Sequence, residues 1–310
     1  STLRAPVAYG LTNLKRQFAK REMKQQPSVV DGIRVQNMEE DLQSVARREL
    51  GETPEVKQKS LAELRKLLEG EKGLVVPPDD VLVMFLRAKK YRMQDAFKTI
   101  RKYLRARRDV PEYFDNLTPS NIPYETFFHD HKLIMFARNS KGQAVGYLQF
   151  GAWNSSICSI DDLMRCALVA TESNLREEET QIRGLIGVID LKGFGAHHMM
   201  LITPRFARRV ISIGQDSLPI RLKGIYYLHT PAVFRIVHAL VKPFLSAKML
   251  KRLQFLAGGI SELRDVVPPE LIPKEFGGTQ EDFDFHKQEE FFLSKASYFE
   301  TMLKCGYRRK

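Results

Sequence analysis

The stretch 182–191 restricts the fold more than any other. It is mostly apolar, carries two glycines and meets its first acid only at Asp190. At strand length it falls far short of the roughly 18 apolar residues of a membrane span. A strand with one wet face alternates polar and apolar residues, whereas a near-continuous run fits a strand covered on both faces of a parallel sheet. Parallel neighbours need crossover connections, usually helices, and the sequence supplies them. Leu222–Leu228 repeats the buried-strand pattern and Leu253–Leu256 gives a last short strand. Helix-start signals stand around these runs. Ser159 with Asp162 three residues on predicts a helix to about Glu178. Thr203-Pro204 and Thr230-Pro231 each place a capping hydroxyl before a proline at the first helical position. The second of these predicts a helix to about Val241, where Pro243 interrupts, and Ser246 caps a short continuation to Arg252. Upstream, 132–138 and 144–150 flank Ser140-Lys141-Gly142-Gln143, the pattern of a hairpin. The fold class is therefore α/β, a mostly parallel sheet flanked by helices.

A small all-helical unit precedes it. Leu61, Leu64, Leu67 and Leu68 give one apolar face to a helix ending near Gly70. Pro77-Pro78-Asp79-Asp80 opens a helix over 81–90, with Val81, Phe85 and Leu86 inward. The next, 94–109, turns Ala96, Ile100, Tyr103 and Leu104 inward and Lys98, Arg101, Lys102, Arg105 and Arg108 outward. A closing helix over 289–304 carries Phe292, Ala296, Phe299 and Leu303. The expected units are an extension at 1–40, the helical unit at 41–117, the α/β domain at 118–280 and a C-terminal helix at 281–310.

Charge raises the question of partners. Across 310 residues, 49 Lys and Arg oppose 37 Asp and Glu, a net charge of +12, and 43% hydrophobic residues exclude a disordered chain. Such an excess suits a polyanion or an anionic membrane. Nucleic acid is not expected, since no finger spacing, RNP motif or basic zipper is present. Three cysteines, no membrane-length run and no secretory apolar block lead to the expectation of a cytoplasmic protein associating peripherally with membranes. No phosphate loop or nucleophile elbow occurs, so an enzyme is not expected. His129-Asp130-His131 and His197-His198 read as surface histidines in preference to metal ligands, and neither metal nor cofactor is expected.

The segment 230–255 joins a broad apolar surface, including Phe234, Val237, Val241, Phe244 and Leu245, to Lys242, Lys248, Lys251 and Arg252. It reads either as a core helix with a charged end or as an amphipathic element for anionic lipid. Here a family resemblance enters. Phe85-Leu86-Arg87-Ala88-Lys89-Lys90-Tyr91, Glu179-Thr180-Gln181-Ile182-Arg183-Gly184, Asp216-Ser217-Leu218-Pro219, Val241-Lys242-Pro243-Phe244-Leu245 and Ile272-Pro273-Lys274-Glu275-Phe276-Gly277-Gly278 follow one another in order. Together they resemble the CRAL-TRIO (Sec14-like) lipid-binding family, nearest its retinaldehyde-binding and α-tocopherol-transfer branch.

The resemblance implies one hydrophobic ligand held between the sheet and a mobile gate helix within 232–245, with Phe234, Val237, Val241, Phe244 and Leu245 on the gate. It implies Leu148, Trp153, Ala167, Thr180 and Asp190 as cavity positions. Trp153 reads equally as core packing, and Asp190 equally as a cap of the strand-to-loop turn before Lys192-Gly193. Ala167 stands where the retinaldehyde-binding relative has a tyrosine, and Asp190 where it has a longer acid. The family's phosphoinositide cleft maps onto Lys89, Arg221, Lys223, Lys248 and Arg252, all five basic. The implied function is carriage of a retinoid, tocopherol, carotenoid or similar isoprenoid, with phosphoinositide-assisted release at membranes. A phosphatidylinositol-type carrier or sensor regulating membrane trafficking is the alternative.

Overall fold

The computed structural model describes residues 41–308, apart from positions 258, 265, 268, 270, 271, 275, 276 and 280–282. The expected extension at 1–40 and the Glu275-Phe276 portion of the closing motif lie outside the described residues. Helix α1 (Leu42–Leu50) starts on Asp41, whose carboxylate accepts from the Ser44 amide, and stops at Gly51 in a left-handed φ of 71°. Helix α2 (Pro54–Glu69) starts on Thr53 with proline at its first position and buries Leu64 and Leu68. A two-residue strand, β1 (Leu74–Val75), leads to α3 (Asp79–Ala88) and α4 (Met93–Asp109).

Helix α3 is enclosed rather than amphipathic: every residue from Val81 to Arg87 is buried. The Arg87 guanidinium is satisfied from several directions. It donates to both Glu52 carboxylate oxygens at 2.8 and 2.7 Å, to Gln181 Oε1 at 2.8 Å, and to Glu178. Burial alone would lower its pKa, but the two carboxylates outweigh that and raise it, so the charge stays fixed. The Phe85-Leu86-Arg87-Ala88 motif thus supplies two core anchors and one buried cross-link.

After α5 (Pro111–Phe114) and a π-type turn (Glu125–Asp130) the sheet begins. Strands β2 (Ile134–Arg138) and β3 (Ala144–Leu148) form the expected antiparallel hairpin. Helix α6 (Ile160–Leu175) starts on Ser159, whose hydroxyl accepts from the Asp162 amide at 3.0 Å. It stops before the expected end, and a separate helix, α7 (Glu178–Arg183), follows. Ile182 and Arg183 therefore close a helix, and strand β4 begins later, spanning Leu185–Asp190. Helices α8 (Ala196–Leu201) and α9 (Pro204–Ile211) lead through a π-type turn (Ser212–Ser217) to β5 (Leu222–Leu228). The order β2-β3-β4-β5-β6 is parallel from β3 onward, with β6 (Leu253–Leu256) at the edge. Between β5 and β6 lie α10 (Phe234–Val241), a 3₁₀ turn (Lys242–Phe244) and α11 (Ala247–Leu250), the last capped by Ser246.

The C-terminal segment departs from a single helix: α12 (Phe285–Leu293) and α13 (Ala296–Lys304) are separate, and Met302 is buried where Leu303 was expected inward. A last strand, β7 (Gly306–Tyr307), pairs antiparallel with β1. Gln288 of α12 closes the free edge of β2, accepting from the Phe136 amide at 3.0 Å and donating to the Ile134 carbonyl at 3.2 Å.

The two faces of the sheet differ. Val145, Tyr147, Ile186, Val188, Tyr226 and Leu228 are buried in the main core, which runs from Leu64 to Met302. On the other face Gly146, Leu148, Gly187, Ile189, Ile225 and Tyr227 are only half-buried. There a second, small cluster forms, in which Leu191, Phe194, Phe234 and Val237 are buried. Helix α10 thus rests on a patch of its own rather than on the main core.

Candidate functional site

Between the half-buried sheet face and α10 lies a cavity of about 660 Å³. Strand alternation puts Lys223, Ile225 and Tyr227 of β5 on its wall, with Ile189 of β4 in register beside Tyr227. Val210 and Ile211 of α9 extend the apolar surface, and Phe234 and Val241 of α10 with Leu245 close it. Phe234 packs against the Tyr227 ring at 5.4 Å. Three of the five gate positions therefore line the cavity. Val237 is instead buried in the small cluster, and Phe244 lies under the Arg208 guanidinium at 5.2 Å.

The helix that carries these residues starts a turn later than Thr230-Pro231 predicts. His229 adopts a left-handed φ of 49° and its Nδ1 lies 2.9 Å from Asp190 Oδ1, which redirects the chain. A tight turn follows, with the Phe234 amide on the Pro231 carbonyl at 2.9 Å, and the helix begins only there. At its far end Gln215 holds the exit. Its amide donates to the Phe244 carbonyl at 3.4 Å and accepts from the Ser246 amide at 2.8 Å. Nothing in the sequence marks Gln215 for this task.

All five basic positions, Lys89, Arg221, Lys223, Lys248 and Arg252, line the same cavity. They come from the end of α3, the start of β5, and α11 with the residues after it. Gly184 makes this convergence possible. It adopts a φ of 94°, and a Cβ there would meet the Arg221 carbonyl oxygen at 2.6 Å. Arg221 and Lys223 both reach Glu49 of α1, at 2.7 and 3.1 Å. Among the described residues, Lys89, Lys248 and Arg252 have no ion-pair partner. Burial, and then the neighbouring Lys248 charge, hold the Lys89 ammonium below its ordinary pKa. Burial and the charges of Arg252, Arg92, Lys90 and Arg221 do the same to Lys248. Arg252 is lowered by burial and by Arg221. Five cations that crowd one another, with Glu49 paired to only two of them, form a seat for an anion with several oxygens. Glu49 went unnoticed in the sequence because it lies in a short polar helix with no motif.

None of Leu148, Trp153, Ala167, Thr180 and Asp190 lines this cavity. Leu148 is on its face of the sheet, in register with Ile189, but one strand further away. Trp153 is buried and stacked on Phe150 at 6.0 Å. Ala167 packs from α6 against the main core. Thr180 accepts from Arg138 at 3.1 Å. Asp190 points to the opposite face from Ile189 and accepts from the Lys192 amide at 2.8 Å as well as facing His229, so its carboxylate joins the strand to the following loop. His198 is buried between Phe150 and Phe194. Its Nδ1 accepts from the Gly195 amide and its Nε2 lies 3.0 Å from the Phe150 carbonyl, so both ring nitrogens have partners within the fold.

The arrangement is that of an α/β protein with a helix-lidded apolar cavity and a cationic rim. Residues 128–278 match the CRAL/TRIO domain. The human protein "Alpha-tocopherol transfer protein-like" is 31% identical over 250 residues, covering 80% of this chain and 73% of its own length. Rat clavesin-1 is 28% identical over 242 residues, covering 77% and 68%. The crystal structure of Sfh5 shares the fold at a TM-score of 0.52 and 18% identity, covering 86% of this chain and 98% of that one. The chain belongs to the CRAL-TRIO family of lipid-binding and lipid-transfer proteins. Among the described residues no helix is long and apolar enough to cross a membrane.

Proposed function

We propose that this protein carries one hydrophobic lipid, of the isoprenoid or retinoid class, in the cavity beneath α10, and releases it at membranes whose phosphoinositides occupy the cationic rim. One observation carries this reading: three apolar gate side chains, Phe234, Val241 and Leu245, and all five basic side chains line a single cavity. Its volume of about 660 Å³ suits one lipid-sized molecule, since ligand sites commonly run roughly 300–1,000 Å³. The gate rests on a small cluster separate from the main core, so it can lift while the sheet stays folded. Ile236 on its outer side is 60% exposed and would enter the bilayer surface on docking. A protein acting this way works in the cytoplasm, binds membranes peripherally and needs no cofactor.

Glu49 has a part in the same cycle. It holds Arg221 and Lys223 while no phosphate is bound, and a headgroup with several charged oxygens would displace it. The test is lipid transfer between vesicles with and without phosphatidylinositol bisphosphate in the acceptor. Acceleration by the phosphoinositide is expected in the wild type and its loss in Lys248→Ala/Arg252→Ala. An undiminished acceleration in that double variant would overturn the coupling.

A second reading rests on the continuity of the cavity: one molecule with acyl chains inside and a phosphate on the rim fits the same space, making the protein a phosphatidylinositol-type carrier or sensor. Native mass spectrometry of the purified protein separates the two. An isoprenoid-sized adduct supports the first and a phospholipid adduct the second.

A further inference from the structure

The π-type turn Glu125–Asp130 and helix α12 bring together three side chains that the lipid site does not use: His129, His286 and Glu289. The turn and the helix are far apart in sequence, and none of the three side chains lines the cavity. His129 Nε2 lies 3.1 Å from Glu289 Oε2, and the His129 and His286 rings are 4.5 Å apart. The three potential ligand atoms all lie within 4.8 Å of one another. Zinc binds such nitrogens and oxygens at about 2.0–2.2 Å, so ligand atoms around it are spaced by roughly 3.3 Å. The His129–Glu289 pair already has that spacing. His286 is exposed and free to close the remainder by turning its ring.

We propose that His129, His286 and Glu289 form a binding site for a divalent transition metal of the zinc type. His286 and Glu289 are three residues apart on one helix, which sets both on the same face. Lys287 between them pairs with Asp284 at 3.3 Å, and its ammonium is thereby held away from the site. Two imidazoles and one carboxylate select zinc, cobalt or nickel over magnesium and calcium, which prefer oxygen alone. His129 is fixed by packing, since Tyr124 lies 5.2 Å from its ring and Phe285 6.3 Å, so one ligand is preorganised. Three protein ligands leave a fourth position for water. Bound there, the ion would fasten α12 to the turn before β2, beside the point where Gln288 closes that strand's edge.

The test is titration of the full chain with zinc and with cobalt, followed by thermal unfolding and by the visible absorption of tetrahedral cobalt. One saturable equivalent is expected, with an unfolding midpoint that rises with metal and does not respond to magnesium. His286→Ala, at an exposed position that folding does not need, should weaken binding at least tenfold, and Glu289→Gln should remove the cobalt band. Absence of cobalt binding, or binding indifferent to His286→Ala, would overturn the proposal.

Discussion

The two faces of one sheet do different work with the same strands. Ile186 and Val188 look into the main core and are almost wholly buried, while Gly187 and Ile189, alternating with them, look toward the cavity and are not. The sealed face contributes stability; the open face gives up part of its apolar burial to keep room for a ligand. The largest expected effect comes from testing that contrast. Ile186→Ala should cost about 2–5 kcal/mol, the range for truncations in a packed core. Ile225→Ala on the half-buried open face should cost less than that, because fewer packed contacts are lost, and weaken lipid retention instead. Urea unfolding with parallel lipid-retention measurements checks both, and equal losses of stability would erase the distinction between the faces.

A smaller effect is expected at the rim. Glu49→Gln should raise affinity for a soluble inositol phosphate a few-fold, measured by calorimetry, because Arg221 and Lys223 no longer have an internal carboxylate. Burial alone would raise the Glu49 pKa, but hydrogen bonds from Arg221 and Lys223 together with their charges bring it below the usual value. Its contribution to docking α1 is therefore fully present above the unfolded carboxylate pKa near 4.5 and is lost as pH falls through the lower folded value. The carboxylate is partly exposed, so the contribution stays below about 1 kcal/mol. At acid pH, wild type and variant should melt alike. The smallest effect is expected at Gln215→Ala. Losing its two backbone hydrogen bonds, one of them long at 3.4 Å, should speed ligand exchange a few-fold with little change in overall stability. A slower exchange would show that Gln215 does not restrain the gate.

Much of this architecture is legible in the residues because its signals are local. Ser159, Thr203 and Ser246 cap the helices they precede, each accepting a backbone N–H from three residues ahead. Thr230 carries the same pattern and fails, because the His229–Asp190 contact, an interaction between distant residues, decides the chain's path there. The apolar run in β4 suggests burial on both faces, and hydropathy alone cannot distinguish a covered face from one that lines a cavity. The five rim cations are legible only through the ordered motifs, since they come from three separate elements. Glu49, Gln215 and the His129–His286–Glu289 group depend on contacts across tens to hundreds of positions, and no periodicity carries them.

The detachment of the α10 cluster from the main core has a further consequence, in the exchange of backbone protons with solvent. Amides of β4 and β5 are tied to the main core and should exchange only when the whole domain unfolds. Amides of α10 depend on four buried residues, Leu191, Phe194, Phe234 and Val237, and should exchange through a partial opening that leaves the sheet intact. Deuterium uptake would then read the gate directly, as a protein segment whose protection rises when the cavity is filled and falls when the rim meets a headgroup.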